Sequence, residues 1–164
     1  MFNFEQILRE LDERIEKENE RRRADEITSY PKMKILLLGQ MGLFAHPDEL
    51  EAKLHLVGTA DVDAKIQAEY SLVQLFEKVL EAFGLEYDRD SHLVWVPPES
   101  TQITIFETPR LKCDVVNPLY LLTSKAIKAK EKNRILIKQA LKIYGRELES
   151  LIRQHGGDPN YFKK

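Results

Sequence analysis

A single cysteine, Cys113, occurs in 164 residues. One cysteine cannot form an internal disulfide framework, nor supply the thiolates of a Cys-rich zinc site. No apolar run reaches the ~20 residues of a membrane-spanning helix, so no membrane partner is expected. An excess of either charge is missing as well. Lys and Arg number 25 against 27 Asp and Glu, a formal net charge of −2. That balance does not advertise nucleic-acid binding, although it leaves room for a local patch. The chain also lacks a Gly-x-Ser-x-Gly elbow and a Gly-x-x-x-x-Gly-Lys-Ser/Thr loop, which removes support for a hydrolase triad or a P-loop. Its four histidines, His46, His55, His92 and His155, include no i, i+4 pair for zinc. There is no internal repeat and no low-complexity tract.

What is present reads as an ordinary soluble globular chain, 43% hydrophobic and 32% charged. The N-terminal MFNFEQILRELDERIEKENERRR is too charged for a secretory signal, so a cytoplasmic location is expected. Phe4, Ile7, Leu8, Leu11 and Ile15 recur at helical spacing. The apolar stripe then stops while the charges continue, Arg21, Arg22 and Arg23 among them. Residues 1–30 therefore read as a charged amphipathic helix, partly independent and suited to a protein partner or a homodimer. Residues 31–155 read as the main domain with C-terminal helices, and 156–164 as a flexible tail.

Within the main domain, Lys34 to Leu38 form a short apolar run between Pro31 and Gly39, the pattern of a buried strand. A short helix is expected near Asp48 to Lys53, and a strand over DVDAKI. Leu72, Leu75, Phe76, Val79, Leu80 and Phe83 mark a helix closed by Gly84. Strands are expected over His92–Val96, Gln102–Phe106 and Leu111–Val116. Asn117-Pro118 starts a helix to Ala129, and Ile137 to Leu151 define another. The order predicts an α+β fold, a small mixed sheet packed by helices with an N-terminal helix and a C-terminal helix pair.

The sharpest chemical feature is Thr59-Ala60-Asp61-Val62-Asp63. Alternate residues of a strand share a face, so Asp61 and Asp63 are expected side by side, with Val62 turned into a core. Two adjacent carboxylates repel, and a divalent cation relieves that repulsion. The plain alternative is two exposed acids on an edge strand. A glycine turn after the buried strand, at Gly39, would let backbone approach a phosphate closely.

The stretch ILLLGQMGLFAH…VGTADVDAKI resembles the core signature of the nucleotidyltransferase superfamily with the polymerase-beta-type fold. In that family an apolar strand ends in Gly-Gly or Gly-Ser, and a later strand carries Asp-hydrophobic-Asp. The Thr-x-Asp-x-Asp form is similar to the minimal, toxin-antitoxin-like branch, which follows its last palm strand with a Pro-Leu-Leu-x-x-Lys-x-x-Ala helix. Asn117-Pro118-Leu119-Tyr120-Leu121-Leu122-Thr123-Ser124-Lys125-Ala126 resembles that element. The resemblance spans roughly Lys34 to Leu151 and implies a nucleotidyltransferase-like palm. It implies Mg²⁺ (or Mn²⁺) on Asp61 and Asp63, and a nucleoside triphosphate held by Gly39, Gln40, Thr59 and Lys125. The acceptor hydroxyl would belong to a protein, an RNA or a small molecule.

The departures are equally specific. Thr104 stands where the family often has a third acid, with Glu107 and Asp114 the nearest replacements in sequence. Asn133 and Leu136 stand where the toxin-like branch has two acids. These departures predict metal-dependent nucleotide binding with slow or absent transfer. The alternative is a degenerate binding or regulatory module of the same fold. A sugar-nucleotide glycosyltransferase using the same acid pair is the weakest reading, since such domains are generally longer.

Overall fold

A computed structural model describes residues 3–164. The first helix, α1 (Phe4–Ala24), begins at Asn3, whose side chain accepts the Glu5 amide. Strand β1 (Met33–Leu37) follows, then the short helix α2 (Gly39–Phe44) and a 3-10 turn at Leu50–Ala52. The acid-rich segment gives two short strands, β2 (Asp61–Val62) and β3 (Ala64–Gln67). Helix α3 (Tyr70–Ala82), strand β4 (Glu86–Tyr87) and a second 3-10 turn at Arg89–Leu93 come next. Strands β5 (Gln102–Glu107) and β6 (Leu111–Val116) lead into α4 (Pro118–Lys128), α5 (Arg134–Tyr144), α6 (Arg146–Gln154) and α7 (Asn160–Lys163).

The fold is α+β, as the order of elements implied. Four strands make one mixed sheet in the order β3-β1-β6-β5. Strand β1 is central, antiparallel to β3 and parallel to β6. The two sheet faces are unlike. Met33, Ile35 and Leu37 of β1, with Leu111, Cys113 and Val115 of β6, join α1 and α3 in one buried core. Alternation sends Lys34 and Leu36 to the other face. There Leu38 and Val116 join α4, α5 and α6 in a second core.

Several expectations are revised. Phe4, Ile7, Leu8, Leu11 and Ile15 are buried within the first core. Helix α1 is thus built into the fold rather than standing apart from it. Arg110 clamps it, with Nη2 3.0 Å and Nε 3.1 Å from the Asp12 carboxylate, which also accepts from Thr108 Oγ1 at 2.7 Å. The stretch His92–Val96 is not a strand. Asp88 caps a 3-10 turn there, and Val94 and Val96 pack on the second core, so burial replaces pairing. The C-terminal helix expected to run through Leu151 breaks at Gly145, whose φ of 55° ends α5 and starts α6. The tail is held rather than loose: Phe162 is 1% exposed, and Lys163 pairs with Glu149.

Candidate functional site

Leu37 ends β1 and the chain turns at Gly39 with φ 59°, a conformation costly for any residue with a Cβ. The turn has a second reason to be glycine. A Cβ there would lie 2.5 Å from Oδ2 of Asp63. The Asp63 carbonyl accepts the Leu38 amide at 2.9 Å, which fixes the acid against the turn. Thus Asp63 lies beside Gly39, while Asp61, expected beside it on the same strand and in the same cleft, is exposed on β2 and does not line that cavity.

The expected continuous strand is interrupted at Asp63. Residues before it pair with β4, through Glu86 N to Ala60 O at 2.8 Å and Asp88 N to Val62 O at 3.0 Å. Residues after it pair with β1. Val62 is fully buried in the first core, as alternation required. Asp61 is exposed and Asp63 half-buried, so the two carboxylates do not share one environment. Burial pushes the Asp63 carboxyl above its ordinary value, and the neighbouring Asp88 charge adds to this more than Asp61 does. Ser91 Oγ, 3.4 Å from Oδ1, and the Lys125 charge act in the opposite direction.

Lys125 comes from α4, whose start is set by Asn117 accepting the Leu119 amide at 3.0 Å and by Pro118 in the first turn. A cavity of about 190 Å³ is lined by Gly39 and Asp63 on one side and by Lys125, Lys128 and Lys132 on the other. Burial holds the Lys125 ammonium below its ordinary value, Lys132 lowers it further, and Asp63 partly restores it. The mutual attraction of Asp63 and Lys125 is therefore smaller than the burial of each. Among the described residues, Asp63, Lys125, Lys128 and Lys132 form no ion pair within 4.0 Å. Lys128 instead lies over the Trp95 ring, 5.2 Å from its centroid. Cations that line one cavity without an ion pair make a ready site for an anion.

The other anticipated residues separate. Thr59 Oγ1 accepts the Asp61 amide at 3.1 Å and lines a second cavity with Gln40 and Lys125. Gln40 Nε2 donates to the Val57 carbonyl at 2.9 Å, so that group ties down the loop instead of aiming at a ligand. Glu107 lies opposite Lys112, itself level with Lys34, at the end of the sheet remote from Gly39, and pairs with Lys32 at 2.5 Å. Asp114 sits mid-sheet, level with Leu36; Gln102 donates to its Oδ2 at 2.6 Å, and its buried Oδ1 has no partner. Thr104 pairs with it across the ladder.

Asp88 escaped the sequence reading. Its only local signal is Tyr87-Asp88-Arg89-Asp90, an Asx cap onto Asp90 N at 2.9 Å. Its proximity to Asp63 depends on β4 pairing with β2, which nothing local announces. Among the described residues, no group of three or more His, Cys, Asp or Glu is arranged to share a metal ion. No helix among them is long and apolar enough to cross a membrane. No family model matches the chain, and neither curated proteins nor solved structures provide a match.

Proposed function

We propose that the chain binds a nucleoside triphosphate with Mg²⁺ in the cleft between Gly39, Asp63 and Lys125, as a divergent nucleotidyltransferase of the minimal branch. The observation that carries this reading is the cavity in which a half-buried carboxylate without an ion pair faces three lysines without one. An acid and cations held apart at one cavity suit a ligand that is itself a metal–polyphosphate complex. The order of elements also supports it: glycine-ended strand, acid-bearing strands, then a Pro-initiated helix carrying the lysine.

Carboxylate oxygens are the hard donors that Mg²⁺ prefers; Asp63 would supply them at the cavity, and the exposed Asp61, two residues before it, would have to turn toward it to join. When bound, the ion would offset negative charge on the leaving phosphates. Lys125, Lys128 and Lys132 would hold the triphosphate, and Gly39 would leave room beside Asp63. In transfer, the acceptor hydroxyl oxygen bonds to the α-phosphorus and the α–β bridging bond breaks. Pyrophosphate leaves with that bridging oxygen. The hydroxyl proton would pass to solvent water.

A specific observation favours a second reading. Asn133 and Leu136 line the second cavity, where the resembled branch would have acids. A module that binds without turnover would have this arrangement. Incubation with Mg²⁺ and triphosphate labelled at the α-phosphate separates the two. Labelled acceptor or released pyrophosphate supports the enzyme; tight binding with neither supports the module. Absence of binding removes both.

A further inference from the structure

The cleft does not end at Lys125. A second cavity of about 410 Å³ shares Lys125, Lys132 and Asn133 with the first. Its walls have a different chemistry. Val57 and Ile135 both line it and are 68% and 70% exposed. Leu136, 7% exposed, lines it too. Single exposed aliphatic residues are ordinary on a surface. Two of them on one cavity that joins a lysine cluster are a coherent arrangement.

The slot is also preformed. Gln40 holds the Val57 carbonyl, and Gln139 Oε1 accepts the His55 amide at 2.8 Å. The loop bearing Val57 is thereby tied to α2 and α5. Its ligand should therefore have an apolar body at one end and a polyanion at the other. Charge complementarity with Lys125 and Lys132 sets which end goes where.

We propose that Val57, Ile135 and Leu136 form the slot for the nucleobase of the triphosphate. This rests on the nucleotide reading above and adds how the base is held: by its faces, against aliphatic side chains. A base gripped in this way is favoured by its buried area, so a purine should bind more tightly than a pyrimidine.

The test is calorimetric titration with ATP, CTP and inorganic tripolyphosphate, each with Mg²⁺. The proteins are the natural chain, a Val57→Ser/Ile135→Ser variant and Lys132→Gln. Both aliphatic positions are exposed, so the double variant should keep the natural circular dichroism spectrum and melting temperature. For the natural chain, ATP should bind at least tenfold more tightly than tripolyphosphate and about fivefold more tightly than CTP. The double variant should bind ATP no better than tripolyphosphate, with tripolyphosphate itself unchanged. Lys132→Gln should weaken all three. Equal binding of ATP and tripolyphosphate by the natural chain would overturn the slot, as would a double variant that keeps the ATP preference or a natural chain that prefers CTP. Failure of the natural chain to bind either ATP or tripolyphosphate would instead overturn the nucleotide reading beneath it.

Discussion

Asp63 and Lys125 carry opposite charges at one cavity, yet burial outweighs their attraction at both. The consequence is a stability cost with a definite sign. An acid whose folded pKa is raised holds its proton more tightly when folded. Stability then falls as pH climbs from the ordinary 3.8 through the raised value, and the full loss persists above it. Asp63→Asn should therefore melt higher than the natural chain at neutral pH. The gain should shrink as pH drops through the raised value and vanish below 3.8. Lys125 runs the other way. Its lowered folded value means that the charged form costs stability at neutral pH, a cost relieved as pH rises toward the ordinary 10.5. Lys125→Met should also melt higher at neutral pH. Thermal melts across pH check both; a lower melting temperature for Asp63→Asn at pH 7 would contradict the burial argument. Gly39→Ala combines a left-handed backbone with a Cβ 2.5 Å from Asp63. It should cost about 2 kcal/mol or more in denaturant unfolding and weaken nucleotide binding.

At the scale of elements, sequence patterns succeeded where one periodicity governed a whole segment. Helix α3 and strand β1 follow this rule, because each turns its buried residues to the first core; β5 and β6 were legible as short runs between turn residues, β6 being buried on both faces and β5 on neither. They failed where a segment divides its loyalties. DVDAKI splits because residues on either side of Asp63 pair with different strands. The apolar 92–96 stretch leaves the sheet because Val94 and Val96 find cover on the second core and Ser124 donates to the Trp95 carbonyl. The apolar stripe of α1 was legible, but its destination was not, since that depends on long-range packing. Removing residues 1–15 should therefore abolish cooperative unfolding rather than merely change oligomeric state. Circular dichroism melts of the truncated chain would show this. Asp12→Ala would leave the partly buried Arg110 guanidinium without its main partner and should cost about 2–3 kcal/mol. Phe162→Ala, on α7, should cost about 3 kcal/mol, because a large ring seated in the second core leaves a cavity behind.

At the scale of the molecule, a core lies on each face of the sheet, and the cleft lies beside the Gly39 turn that follows β1. One side comes from the Gly39 turn and Asp63, the other from α4. Asp61, Asp63 and Gly39 could be picked out from their spacing in one short, ordered stretch, whereas Lys125 was singled out only by the family resemblance of its helix. Asp88, Val57 and Ile135 could not be picked out, because only the pairing of β2 with β4 and the approach of α5 to the 55–59 loop bring them in, and Lys128 and Lys132, which follow Lys125 along the chain, carry no local signal of their own. The central claim is that this cleft binds a nucleoside triphosphate through a metal held by the acid pair. A Mg²⁺ ion held by Asp63 would compete with its proton, so on this proposal binding should also weaken as pH falls through that group's raised value. The most direct measurement is calorimetric titration of ATP, with Mg²⁺ and with chelator, into the natural chain and into Asp61→Asn/Asp63→Asn. The account predicts saturable binding that needs Mg²⁺ and disappears in the double variant, whose circular dichroism spectrum stays natural. Binding that persists in chelator or in the double variant, or no binding by the natural chain, would contradict it.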